Sequence, residues 1–126
     1  MNAIKRWMFR SVLFLGISLS IYAVAKVTII SYGVKEITST QAKLEVGFTG
    51  ADGILVYVRA TSEDEYYYQS SMEVDNPDDT KTFWVLSLMP STEYEVTVEV
   101  VADLSDPDNA ERARASVRFT TLEPGF

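Results

Sequence analysis

From Tyr94 the side chains alternate strictly: Tyr94, Val96, Val98 and Val100 fall on one side, Glu95, Thr97 and Glu99 on the other. A period of two belongs to an extended strand with one face toward a core and one toward water. Just upstream, Leu88-Met89-Pro90-Ser91-Thr92 reads as a turn, because Pro90 presets φ at a turn entry. A buried Tyr94 also needs a hydrogen-bond partner for its hydroxyl. The preceding turn offers backbone carbonyls for that purpose.

Short alternating runs continue along the chain. Ala42 to Phe48 places Leu44, Val46 and Phe48 inward, and Thr49 to Gly53 has turn composition. Ile54, Val56, Val58 and Ala60 then point one way, with Leu55, Tyr57 and Arg59 the other. Tyr66 to Met72 and Thr80 to Leu86 are further strands, the second with Phe83 and Val85 opposed to Trp84 and Leu86. Glu93 to Ala102 follows, and Ala113 to Thr121 closes the set. Before them, Val27 to Ile30 begins a strand that Ser31-Tyr32-Gly33 interrupts and that Val34 and Ile37 continue. Seven short strands separated by turn residues, with no long helical period, predict an all-β sandwich or barrel.

The chain resembles the fibronectin type III family over residues 27–122. The resemblance is carried by the L-x-P-x-T-x-Y-x-V-x-V run, with Leu88, Pro90, Thr92 and Tyr94 in the motif positions. Val34 to Val46 is similar to the family's first two strands, Asp52 to Val58 to its third, and Phe119-Thr120-Thr121 to its closing F-T-T. The resemblance implies a seven-stranded immunoglobulin-like sandwich whose Tyr94 hydroxyl bonds back to upstream backbone as a tyrosine corner. Two departures stand out. Phe48 occupies the place of the family's second-strand tryptophan, and the Arg-Gly-Asp adhesion tripeptide is absent.

The N-terminal 25 residues have a different character. Lys5, Arg6 and Arg10 precede a charge-free apolar run from Ser11, and Ala23-Val24-Ala25 has the A-x-A form. That order predicts a secretory signal peptide cleaved after Ala25. The alternative is a retained membrane anchor, with Trp7 to Phe9 lengthening a run otherwise short of the ~20 residues a span requires. In both cases residues 26–126 form the folded domain beyond a membrane, placing it as secreted, periplasmic or at the cell surface. The ending Leu122 to Phe126 resembles an interdomain linker.

Setting residues 1–25 aside removes three of the 11 bases and none of the 18 acids, so the rest carries a formal net charge of −10. Such a surface repels phosphate backbones, and nucleic acid is not an expected partner. Without cysteine the domain depends on its hydrophobic core, which 47% hydrophobic composition can supply.

With neither His nor Cys, the common general base, the thiol nucleophile and zinc sites built on these residues are excluded. Paired carboxylates remain a catalytic possibility. Glu45, Glu95 and Glu99, however, sit at outward strand positions and read as solubilising groups. No enzyme activity and no cofactor are therefore expected. Asp103 to Asn109 and Asp75 to Asp79 gather the hard oxygen ligands calcium takes, without EF-hand spacing and with ordinary turn composition.

Tyr66-Tyr67-Tyr68 is the most suggestive surface feature, since consecutive strand residues cannot all face the core. Tyr57 and Trp84 read as outward and extend a candidate aromatic patch for a partner. The expected function is a non-enzymatic protein-interaction or adhesion module whose partner is another protein or a surface glycan. The alternatives are a carbohydrate-binding accessory module, using Tyr57, Tyr67 and Trp84 as a stacking platform, and a membrane-tethered subunit of a larger assembly.

Overall fold

The computed structural model describes residues 27–125, apart from the side chains of residues 67–69. It contains seven strands: β1 Thr28–Ile37, β2 Ala42–Thr49, β3 Gly53–Ala60, β4 Tyr67–Glu73, β5 Asp79–Val85, β6 Glu93–Val101 and β7 Arg112–Thr120. No helix occurs among the described residues. The strands form two antiparallel sheets, one ordered β1-β2-β5 and the other β4-β3-β6-β7. The expected signal peptide and its cleavage site at Ala25 lie outside the described residues.

The core lies between the sheets and is built by the alternation the sequence displays. Leu44, Val46 and Phe48 from β2 meet Ile54, Val56 and Val58 from β3 and Val96, Val98 and Val100 from β6, all essentially without solvent contact. Burying each such side chain stabilises the fold by about 1.5–3 kcal/mol. β-Branched residues dominate because their stiff χ1 suits a pleated surface packed on one side.

β1 is continuous, where the sequence suggests an interruption at Ser31-Tyr32-Gly33. Its pairing with β2 shifts register between Ile29 and Ser31 and again between Val34 and Glu36. Each shift inserts an unpaired residue and breaks the period of two. Ile30, the residue at the first shift, is consequently thrust outward and is 65% exposed. Tyr32 reaches across the sandwich, and its hydroxyl donates to the Val96 carbonyl of β6 at 3.0 Å. Burial pushes that phenol well above its ordinary value, so it remains a neutral donor tying one sheet to the other.

One end of the sandwich is closed by the 86–92 connection. Leu88 is buried, and its N–H donates to Thr40 in the β1–β2 turn at 2.9 Å. Ser91 follows Pro90 with φ of 51°, in the left-handed region. Thr92 Oγ1 donates to the Pro90 carbonyl at 2.8 Å. Tyr94 is buried, and its Oη accepts the Met89 N–H at 2.8 Å. The corner thus forms with an amide where the sequence reading expected a carbonyl to be the partner. Phe119 packs beside it, ring centroids 6.3 Å apart. Thr121 completes the lock: its Oγ1 donates to the Met89 carbonyl at 2.5 Å and accepts the Thr92 N–H at 3.0 Å. Both backbone polar groups of Met89 are therefore held, the N–H by Tyr94 and the carbonyl by Thr121.

Candidate functional site

The outer face of the four-stranded sheet holds most of the charged side chains that interact with one another. Register sets its rows. Arg59, Glu95 and Arg118 lie side by side across β3, β6 and β7, then Tyr57, Thr97 and Ser116, then Leu55, Glu99 and Arg114, then Gly53, Val101 and Arg112.

In the first row Glu95 Oε1 accepts Arg59 Nη2 at 2.6 Å, Arg59 Nε at 3.0 Å and the Tyr66 hydroxyl at 2.6 Å. Its Oε2 lies 3.7 Å from Arg118 Nε. The guanidinium of Arg59 also sits 5.2 Å over the Tyr66 ring and donates to the Glu63 carbonyl at 2.7 Å. Arg59 thereby organises the β3–β4 turn as well as the row. The hydrogen bond from Tyr66, and after it those from Arg59, hold the Glu95 carboxyl below the ordinary carboxylate range despite partial desolvation.

The third row is built around Glu99, whose side chain is only 7% exposed. Arg112 Nη1 lies 3.5 Å from one of its oxygens and Arg114 Nε 3.6 Å from the other. Between these rows the Thr97 and Ser116 hydroxyls share a hydrogen bond of 2.7 Å. Beyond them Leu104 folds back over Gly53, where a Cβ would meet the Leu104 side chain at 2.8 Å.

These contacts correct the reading of Glu95 and Glu99 as solubilising groups. β3 and β6 are central strands. Their outward residues have a strand on each side, and Leu55, Thr97, Glu99 and Val101 are buried although they face away from the main core. Alternation marks the side of the sheet, while burial depends on the neighbouring strands.

The chain matches no family model and no curated protein. Among solved structures, the sensor domain of the anti-sigma factor RsgI4 from Pseudobacteroides cellulosolvens superposes with a TM-score of 0.54 at 19% identity, covering 78% of this chain and 94% of that one. The fn3 domain of the human collagen alpha-1(XX) chain superposes with a TM-score of 0.55 at 18% identity, covering 78% of this chain and 86% of that one. The fold is that of a fibronectin type III domain.

Within this fibronectin type III sandwich the aromatic candidates do not form one surface. Tyr57 lies on β3 in the four-stranded sheet, where it is half-buried and engaged with a neighbour. Trp84 is 41% exposed on β5 in the opposite sheet, with Lys43 Nζ 5.9 Å from its ring. The two point away from each other through the thickness of the domain, so they cannot share a sugar-stacking platform. Tyr66 is held within the Arg59–Glu95 cluster and is not a free ring. The backbones of Tyr67 and Tyr68 pair with Val58 and Tyr57, and their side chains lie outside the described residues.

The calcium candidates likewise resolve into turn chemistry. Asp103 Oδ1 accepts the Ser105 hydroxyl at 2.6 Å and its N–H at 3.0 Å, and these bonds lower the Asp103 carboxyl from its ordinary value. Asp78 caps Gly50, Asp79 bonds Thr80, and Asn76 bonds Asp78. Among the described residues no group of three acids is gathered to hold a metal ion.

A pH prediction follows from Glu95. Its folded carboxyl is lowered relative to the unfolded chain, so the stabilisation it provides is complete above the ordinary carboxylate range. It is lost as pH falls through the folded value. The chain and its Glu95→Gln variant should therefore differ most in urea midpoint at neutral pH and converge as the pH is taken down through 4 and below. A difference that stays constant from pH 7 to pH 3 would show that the ion-pair cluster contributes nothing through its charge.

Proposed function

We propose that this chain is a non-enzymatic, extracytoplasmic protein-interaction module, delivered across a membrane by residues 1–25. The observation that carries the reading is the state of its charged groups. The two largely hidden carboxylates that share a face, Glu95 and Glu99, are both taken up by arginines. Glu95 is lowered, whereas a general acid must be raised toward the working pH. On the β7 side of this face the Arg114 and Arg118 side chains are 58% and 55% exposed. Such groups recognise a partner and perform no proton transfer near neutral pH.

The strongly acidic surface suits an exported domain. The basic-then-apolar order of residues 1–25 supports export, with release after Ala25 as the primary reading and retention as a tethered subunit as the other. The separation of Tyr57 from Trp84 weighs against the carbohydrate-accessory reading.

Two measurements test this. The intact mass of the exported protein should correspond to loss of residues 1–25; the full-length mass in the membrane fraction would assign the tethered form. Chemical cross-linking on the producing cells should join the chain to a defined polypeptide. A chain that cross-links to no protein but is retarded in affinity electrophoresis through polysaccharide gels would overturn the protein-binding reading.

A further inference from the structure

Among the described residues the two kinds of cation are segregated by sheet. Lys35, Lys43 and Lys81 all lie on β1, β2 and β5, while Arg59, Arg112, Arg114 and Arg118 all lie on β3 and β7. Charge on an edge strand guards against edge-to-edge aggregation, and lysine serves that purpose well. Arginine alone on this sheet is a different choice. Its planar fork matches a carboxylate with two parallel hydrogen bonds and is more weakly hydrated than an ammonium.

The four arginines are not equally engaged. Arg59 is committed to Glu95 and Glu63, and Arg112 to Glu99 and the Pro107 and Asp108 carbonyls. Arg114 and Arg118 approach their glutamates through Nε, at 3.6 and 3.7 Å, longer than the hydrogen bonds that commit Arg59. Their Nη groups donate to no acceptor among the described residues. Glu99 and Glu95 therefore hold each side chain from behind and leave the outer edge of the fork presented. The two forks lie on one face of β7 four residues apart, about 13 Å at ~3.3 Å per residue. β7 is also the last strand of its sheet, so one row of its backbone N–H and C=O groups has no strand partner among the described residues.

Resting on the reading of the chain as a protein-interaction module, we infer that β7 is the docking edge for an acidic extended segment of another polypeptide, whose carboxylates at positions i and i+4 engage Arg114 and Arg118. A partner strand has the same repeat as β7, so acids four residues apart on it face both forks in register. Directly opposed cross-strand pairs stand 4.5–5.5 Å apart at Cβ, within reach of a guanidinium–carboxylate contact. Main-chain bonds along the edge supply affinity, and the two charge pairs set register. The remainder of the domain is acidic, so it repels the same segment elsewhere and favours this strip. A uronic acid polymer would place its carboxylates by the sugar repeat and offers no backbone to the strand edge.

The test uses the full chain in a non-ionic detergent with three probes: a nine-residue peptide of alternating threonine and glutamate, the same peptide with glutamine for glutamate, and polygalacturonate. The threonine–glutamate peptide should bind and shift the backbone amide resonances of residues 112–120. Its affinity should fall at least tenfold in the Arg114→Gln, Arg118→Gln double variant and on raising the salt. The glutamine peptide should not bind. Lys35→Gln with Lys81→Gln, on the opposite sheet, should leave binding unchanged. The double variant takes one arginine from each glutamate, so a lower melting temperature is expected, and binding is compared at a temperature where both proteins are fully folded. Absence of peptide binding, equal binding by the double variant, or binding of polygalacturonate through these arginines with the peptide ignored would each overturn the inference. A cross-linked cellular partner still held by the double variant would likewise remove this edge while leaving the protein-interaction module intact.

Discussion

Phe48→Ala should lower the folding stability by about 3–5 kcal/mol. Phe48 is 1% exposed, and its strand pairs with both β1 and β5, so the sheet cannot readily collapse around the deleted ring. The loss combines the transfer energy of the ring with the cavity left behind. Against a total of about 5–15 kcal/mol for an ordinary domain, this removes a large fraction of the stability. It should appear as a lower urea midpoint with an unchanged denaturant slope. Phe48 also stands where the family resemblance leads one to expect tryptophan. A cost under 1 kcal/mol would mean that this position does not anchor the space between the sheets.

The second large effect belongs to the lock around Met89. Thr121→Val should cost about 1–3 kcal/mol, because the Met89 carbonyl loses a donor and the Thr92 N–H loses its acceptor while shape is nearly kept. Tyr94→Phe leaves the Met89 N–H without its acceptor and should cost a similar amount by the same mechanism. Since both side chains hold the backbone of one residue, Met89, the double variant should be non-additive, with a coupling of about 0.5 kcal/mol or more by double-mutant cycle. Strict additivity would show that the two hydrogen bonds act independently and that the lock is not a unit.

Different parts of the molecule were legible to different degrees. β2, β3, β5, β6 and β7 each carry an unbroken period of two on their core side, and their inward residues follow from it directly. β1 was harder, because its two register shifts erase the period that would mark it as one strand. Thr121 is the residue whose role the motif reading underused. The closing F-T-T is a likeness to the family, yet the hydroxyl that seals the corner bonds to residues about 30 positions away, and no local pattern signals such a contact.

The arginine face shows the same divide. Glu95 and Arg59 are 36 positions apart, and Glu99 and Arg114 are 15, so their pairing exists only once β6 lies between β3 and β7. A signal was present in retrospect: glutamate on one strand and arginine at alternate positions on the next, all on the side opposite the valines. It becomes a charge network only when the register is known.

The amino-acid sequence alone determined a strand-built domain, the inward side of most strands and the tyrosine at the corner. These depend on near neighbours along the chain, through alternation, turn chemistry and one short motif. Only the tertiary structure decided that Glu95 and Glu99 are enclosed by arginines, that Tyr57 and Trp84 look in opposite directions, and that β7 is an edge with two presented guanidinium groups. Those properties arise from which strands become neighbours, and distance across a sheet is set by strand order and register, which no periodicity within a single strand encodes.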